Sequence, residues 1–168
     1  MESVEITPRL HLVRYAFGQA YLWLDDDGLT MVDAGIAGSA SGTAAAIRAA
    51  GRELGELRRV VLTHFHADHA GGAAELRAWG DVEVLAHRAD APVVRGDQLP
   101  APPVLLDWER PLFEQNSPQA GGLTGPPCPV DRELEDGDEI GFGGGARVLQ
   151  VPGHTDGSIA LHLPAVHR

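Results

Sequence analysis

The sequence contains no lysine: its 13 basic residues are arginines, set against 24 acidic residues, and the formal net charge is −11. Because no basic stripe is available to neutralise phosphates, neither nucleic acid nor an anionic membrane is expected as the main partner. Cys128 is the one cysteine, which excludes an internal disulfide framework and a cysteine-rich zinc module. No run is long and apolar enough to span a bilayer, and the first residues lack a basic and apolar leader, so we expect a cytoplasmic protein.

The length of 168 residues suits one domain, which we expect to cover residues 1–168. Short apolar or alternating runs at residues 6–13, 20–24 and 29–32 predict strands, with an Asp27-Gly28 turn that is typical of a hairpin between the last two. The middle of the chain then alternates strand and helix patterns, with buried strands expected at 59–63 and 82–86. This alternation favours helices and strands packed together in layers.

Residues 96–129 form a Pro-rich segment that holds eight of the twelve prolines. We expect a long loop or lid here, because long loops without regular structure are often functional, although an ordered surface excursion fits as well. Trp108 and Phe113 either close over an apolar substrate or anchor the loop. After this segment, residues 134–140, 146–151 and 158–163 predict three further strands separated by Gly-rich turns.

The most informative motif is Thr63-His64-Phe65-His66-Ala67-Asp68-His69, which places four candidate metal ligands between an apolar strand and a helix. His64 and His66 alternate, so both rings point to one side of an extended chain. Asp68 and His69 follow where the chain turns into the helix and can face the same point. Imidazoles combined with a carboxylate suit zinc, and also iron or manganese.

Three segments together resemble the metallo-β-lactamase fold superfamily. His64 to His69 matches its HxHxDH signature, Met31-Val32-Asp33-Ala34-Gly35 is similar to its first motif, and Val151-Pro152-Gly153-His154-Thr155 is similar to its third. The resemblance covers nearly the whole chain except the Pro-rich segment. It implies an α+β fold of the αββα sandwich type.

The resemblance also implies roles for individual residues. His64, His66 and His154 would hold one metal, and Asp68 and His69 a second, about 3.5–4 Å away. A hydroxide between the metals would attack an activated carbonyl, and Asp68 would orient it. Asp33 would hold a ligand imidazole or its backbone in place, and Thr155 would steady the loop of His154. The cofactor is therefore expected to be one or two Zn²⁺ per chain, with iron or manganese as alternatives.

The chain departs from the family pattern after Ser158. Two-metal members usually carry a further bridging Asp and a late His, and neither motif follows here; His162 and His167 are the only later histidines. We therefore expect an incomplete second sheet. The chain is either a truncated gene product, or a fragment whose remainder is another polypeptide, or a subunit whose sheet and site a partner chain completes. A homo-oligomer is one possible assembly.

The resemblance leaves three functions open. The first is a metallo-hydrolase that acts on a small molecule with an activated carbonyl, such as a lactone or thioester. A histidine at position 69 fits the groups of the family that resemble glyoxalase II and the lactonases. The second is a mononuclear iron oxidoreductase of the persulfide dioxygenase type. The third is an inactive, truncated chain.

Overall fold

Seven strands pair in the order in which they occur in the chain and form the larger of two sheets. The structure, a computed structural model, describes residues 2–118 and 122–164; His167 lies outside them. The strands of the large sheet are β1 (Glu2–Thr7), β2 (Leu10–Arg14), β3 (Gln19–Asp25), β4 (Gly28–Val32), β5 (Leu57–Val61), β6 (Glu83–His87) and β7 (Arg132–Leu134). A small antiparallel sheet contains β8 (Glu139–Ile140), β9 (Ala146–Gln150) and β10 (Ile159–His162).

The first four strands are antiparallel. Residues 6–13 were expected to form one strand, and this is wrong, because the chain turns at Pro8 between β1 and β2. Proline has no N–H to donate to a ladder, and the hydroxyl of Thr7 accepts the N–H groups of Arg9 and Leu10 instead. The expected hairpin between β3 and β4 is confirmed, but its turn consists of Asp26 and Asp27 rather than Asp27 and Gly28, since Asp25 pairs with Gly28.

Strands β4 to β7 are parallel, and helices connect most of them. The helices are α1 (Ala40–Ala49), α2 (Ala67–Ala70), α3 (Ala73–Arg77), α4 (Ala91–Arg95) and, in the Pro-rich segment, α5 (Arg110–Asn116). A short 3-10 helix, Leu54–Glu56, precedes β5. Within the described ranges, no helix has the length and apolar composition needed to cross a membrane.

Neighbouring residues on the central strands enter two different cores. Val60 packs in a core with Ile47 of α1 and Leu76 of α3, whereas Val61 packs in a second core with Val148 and Ile159 of the small sheet. Successive side chains on a strand point to opposite faces, so the helices cover one face of the large sheet and the small sheet covers the other. Burial on both faces explains why residues 60–62 are all apolar, where a strand buried on one face would alternate apolar and polar residues.

Residues 134–140 were expected to form one strand but serve both sheets. Leu134 ends β7, and β8 begins only at Glu139. Between them Gly137 has φ 85°, a left-handed conformation that favours glycine, and the carboxylate of Asp138 accepts the N–H of Glu135 at 3.0 Å. This turn carries the chain from the large sheet to the small one.

The Pro-rich segment is not a structureless loop throughout. It contains α5, which begins at Arg110 with a proline in its first turn, a position where the missing N–H costs nothing. The N–H of Cys128 donates to the carbonyl of Val94, and a bridge joins Thr124 to His66. The segment therefore returns to the body of the protein beside the histidine motif.

Gly72 allows the chain after the histidine motif to press against the end of β4. A Cβ atom added at Gly72 would collide with the carbonyl oxygen of Ala34, which is backbone and cannot rotate away. The N–H of Gly72 donates to the carbonyl of Gly35 at 2.9 Å in the same contact. This close approach sets the position of the helices α2 and α3 relative to Asp33.

We expect Gly72→Ala to lower the free energy of unfolding by about 1–3 kcal/mol, because the added methyl group overpacks a backbone contact. Denaturant unfolding followed by circular dichroism measures the change. Gly55→Ala is the matched control, since a Cβ there meets nothing within 4 Å. Equal destabilisation by both substitutions would show that the close approach at Gly72 does not matter.

Candidate metal centre

Two histidines follow the carboxyl end of β5, and their side chains lie on the same side of the chain. His64 and His66 lie between β5 and α2, and His66 is still extended, with φ −60° and ψ 149°. Alternating residues of an extended segment present their side chains on the same side. His64 is buried and His66 is partly buried, so the pair lies at the boundary between core and surface.

His154 joins them from the loop between β9 and β10. Its Nε2 atom lies 2.9 Å from Nδ1 of His66. His64, His66 and His154 each offer a ligand nitrogen, and these nitrogens lie within 4.8 Å of one another. The three residues predicted to hold the first metal are thus brought together, although 88 residues separate His66 from His154.

Asp33 fixes the orientation of the His64 ring through Thr63. The hydroxyl of Thr63 donates to the Asp33 carboxylate, 2.8 Å from Oδ2, and lies 3.0 Å from Nδ1 of His64. Since the hydroxyl proton is given to the carboxylate, the hydroxyl oxygen accepts from Nδ1–H of His64. Nε2 of His64 then carries a lone pair, and it is a buried side-chain nitrogen with no hydrogen-bond partner among the described residues.

Asp33 holds this position at the cost of a strained backbone. Its φ is 65°, a left-handed conformation that is uncommon outside glycine and is over-represented at functional sites. Its N–H donates to the carbonyl of Val61 at 2.9 Å, and its carboxylate accepts the N–H of Thr63 at 2.7 Å. The end of β4 is thereby attached to the end of β5.

His69 and Asp68 form a second pair beside the three histidines. Nδ1 of His69 lies 2.8 Å from Oδ2 of Asp33, and its Nε2 lies 3.4 Å from Oδ2 of Asp68. The ring centroid of His69 is 4.1 Å from that of His64. Asp33 thus orients two imidazoles, and a carboxylate oxygen of Asp68 lies beside the other ring nitrogen of His69.

The electrostatic surroundings keep His64 and His66 neutral. Burial, together with the neighbouring imidazoles, lowers the pKa of His64 to about 3 and that of His66 to about 4. Burial also opposes a charge on His69, but hydrogen bonds to Asp33 and Asp68 outweigh it and raise the pKa of His69 to about 10. Burial acts against ionisation of Asp68 as well, yet hydrogen bonding and attraction to His69 lower the pKa of Asp68.

This donor set fits a divalent transition metal. Neutral imidazoles are the form that binds metals, and the unpaired Nε2 of His64 lies among the nitrogens of the cluster. Three imidazoles with a carboxylate nearby suit zinc, and iron or manganese are also compatible. The hydrogen bonds that fix the rings of His64 and His69 are the kind that orient metal ligands in proteins.

The sequence reasoning missed Asp90. Its buried carboxylate accepts the N–H of Phe65 at 3.1 Å, the hydroxyl of Thr155 at 2.7 Å and the N–H of Gly157 at 2.8 Å. It therefore ties the segment of His64 and His66 to the loop of His154. Thr155, expected to steady this loop, is one of the donors. An Asp before Ala91 and Pro92 indicates only a helix start, yet its side chain makes no cap hydrogen bond to α4.

A cavity of about 390 Å³ opens beside the metal centre. His66, Asp68 and His154 line it on one side, and residues of the Pro-rich segment, including Trp108 and Phe113, line the other. The segment predicted as a loop or lid is therefore adjacent to the candidate ligands.

The fold and the site define a class, a metal-binding sandwich in which histidines from strand ends converge at one edge of two facing sheets. The family model of the metallo-beta-lactamase superfamily matches residues 14–166. The chain belongs to the metallo-beta-lactamase superfamily. The family and the α+β fold expected from the three motifs are thus confirmed.

Curated relatives of similar sequence include hydrolases. A hydroxyacylglutathione hydrolase of Cereibacter sphaeroides is 34% identical over 64% of this chain and 30% of its own length. A probable metallo-hydrolase YqjP of Bacillus subtilis is 29% identical over 88% of this chain and 50% of its own. An acyl-coenzyme A thioesterase MBLAC2 of Gallus gallus is 36% identical over 61% and 36%. The chain thus spans between about a third and half the length of these relatives.

Solved structures show the same fold. This chain superposes on a mutant of the metallo-beta-lactamase of Cronobacter sakazakii with a HARLDQ motif, with a TM-score of 0.78. The two are 26% identical, and the match covers 96% of this chain and 57% of that one. The subclass B3 enzyme BJP-1 of Bradyrhizobium japonicum gives 0.77 at 23% identity, over 96% and 56%. The likeness to BJP-1 concerns the fold alone.

We expect His66→Ala and His154→Ala each to weaken zinc binding by at least about a hundredfold, because the loss of one nitrogen ligand removes several kcal/mol of binding free energy. Competition with a chromogenic chelator measures the dissociation constant. His162→Ala is the matched control, since His162 lies on β10 outside the cluster. Parent-like affinity in both cluster variants would rule out this metal centre.

We expect Asp90→Asn to weaken zinc binding about ten- to hundredfold, the usual loss when a group that supports metal ligands is changed. The amide of the substituted side chain has one oxygen acceptor fewer than the carboxylate, and its NH₂ group would face a buried donor without forming a hydrogen bond. Asp131→Asn is the control, because Asp131 also accepts a strand N–H, that of Val84 at 2.8 Å, without contacting either histidine loop. The assignment fails if the two substitutions reduce affinity equally.

Proposed function

We propose that the protein is a metal-dependent hydrolase that cleaves an activated carbonyl group in a lactone, a thioester or a related ester. The observation that carries this proposal is the convergence of His64, His66 and His154, with an unpaired buried Nε2 on His64. The names of two relatives, a hydroxyacylglutathione hydrolase and an acyl-coenzyme A thioesterase, support the reaction class. Their match to this chain covers about a third of their length, so the activity is proposed for this chain.

In this proposal His64, His66 and His154 would hold the first metal, and Asp68 and His69, the latter without its Nε2 proton, would provide ligands for a second. A bound zinc ion supplies Lewis acidity and lowers the pKa of water toward about 7. Asp68, whose pKa is lowered, stays ionised at neutral pH and orients the attacking nucleophile through its carboxylate. Asp33 keeps the ring of His69 in place by accepting from Nδ1, and Thr155 holds the loop of His154 against Asp90.

The substrate is a small molecule in this proposal, since the cavity beside the histidines has a volume of about 390 Å³ and the net charge of −11 does not suit nucleic acid. A cytoplasmic location and assembly into a homo-oligomer both stay predictions.

Metal content and turnover, measured on the same preparation, test the proposal. We expect elemental mass spectrometry to find one to two zinc ions per chain, and the zinc-loaded protein to hydrolyse simple thioesters or lactones. Removal of metal with a chelator should abolish turnover, and zinc should restore it. A single iron with oxygen consumption and no hydrolysis would instead support the dioxygenase alternative.

We expect Asp68→Asn to lower kcat by about a hundredfold or more, because the amide orients the nucleophile less well and accepts no proton. The substitution should change KM much less. Asp156→Asn is the control, since Asp156 is an exposed acid in the loop of His154. An unchanged kcat in zinc-loaded Asp68→Asn would remove Asp68 from the catalytic group.

A further inference from the structure

The cavity beside the metal centre has an apolar wall on the side of the Pro-rich segment. This wall combines residues from α5, from the segments before and after it and from the loop before β3: Phe17, Leu105, Trp108, Leu112, Phe113 and Leu123. Its volume of about 390 Å³ falls within the range of small-molecule pockets. The polar floor, formed by His66, Asp68 and His154, lies where the scissile carbonyl must be placed.

No basic side chain lines this cavity among the described residues, and the sequence of residues 119–121 contains none. The charged residues of the lining are Asp68 and Glu109. The Glu109 carboxylate accepts the N–H of Leu106 at 2.7 Å and so closes the turn before α5. The nearest arginine in sequence, Arg110, lies 3.7 Å from Asp107. Away from the metal centre, the described lining of the cavity therefore offers no cationic side chain to pair with an anionic group of a substrate.

The apolar wall is also accessible. Trp108 is 65% exposed and Leu112 is 51% exposed, although large apolar side chains are ordinarily buried where packing permits. Because each apolar surface removed from water contributes favourable free energy, a ligand that covers these two side chains gains affinity in proportion to its apolar area. A substrate whose carbonyl lies at the polar floor would cover more of this wall as its acyl chain lengthens.

We propose that this cavity binds an uncharged, apolar acyl chain of the substrate, and that it selects against substrates with anionic groups such as glutathione or coenzyme A conjugates. The inference rests on the proposed function, because it places the acyl carbonyl at His66, Asp68 and His154. It decides between the two roles open for Trp108 and Phe113 in favour of contact with substrate. It also predicts that this chain prefers a different substrate from glutathione thioesters, which the name of the relative hydroxyacylglutathione hydrolase indicates for that protein.

Binding without turnover tests the inference separately from catalysis. The probes are non-hydrolysable thioether analogues of one small neutral thiol with straight alkyl chains of two to ten carbons, titrated into the zinc-loaded protein by calorimetry. We expect the dissociation constant to fall about two- to fourfold per added methylene over the middle of the series. An S-alkyl glutathione of the same chain length should bind at least tenfold more weakly.

Two serine variants locate the effect. Leu112→Ser should reduce the preference for the eight-carbon over the two-carbon analogue by about five- to tenfold, because it replaces part of the apolar wall with a hydroxyl. Val104→Ser should retain the preference, since Val104 is 99% exposed in the same segment and does not line the cavity.

A dissociation constant that does not depend on chain length would overturn the inference, as would an equal loss of preference in Leu112→Ser and Val104→Ser. Tight binding of the glutathione analogue would overturn the selection against anions. The corresponding thioesters, assayed by release of thiol, report on the proposed function alone. Chain-dependent binding of the thioethers without any thioester hydrolysis would support the cavity assignment and contradict the hydrolase.

Discussion

A buried imidazole binds a metal only when its lone pair faces the ion, and the carboxylate of Asp33 sets the orientation of two imidazole rings. It accepts the Thr63 hydroxyl, which places the proton of His64 on Nδ1, and it accepts Nδ1–H of His69 directly. One carboxylate at the end of β4 thus sets the orientation of both rings. The left-handed conformation of Asp33 is tolerated because these hydrogen bonds over-determine its position.

The remaining ligand depends on the small sheet. His154 is carried by the loop between β9 and β10, and Asp90 attaches that loop to the segment of His64 and His66 by accepting from Phe65, Thr155 and Gly157. Val61 of the large sheet and Ile159 of the small sheet belong to the same buried core. This core keeps the ends of the two sheets that carry the histidines next to each other. The metal centre is therefore supported by two buried carboxylates, one on each side of the histidine segment.

The sequence predicted the parts of the molecule in which a local pattern decides the structure. The β3–β4 hairpin, the buried run at residues 59–63 and the family motif followed from neighbouring residues. Two expected strands were each divided by a turn: the first at Pro8, and the second, residues 134–140, between the two sheets. In both places the apolar or alternating pattern continues across the turn and so hides it. Asp90 was missed because its partners lie 25 to 67 residues away in the chain, and helix α5 because prolines obscured its pattern.

The strand order of the large sheet bears on how the protein acquires its site. Each strand from β1 to β7 pairs with its neighbour in sequence, so the sheet can grow by closing successive loops, which keeps the entropic cost of each closure moderate. The contact between His66 and His154 spans 88 residues and forms only after the small sheet docks. An ion that needs all three histidines would then bind a nearly finished fold and stabilise that fold by mass action, which makes the metal the last component to join.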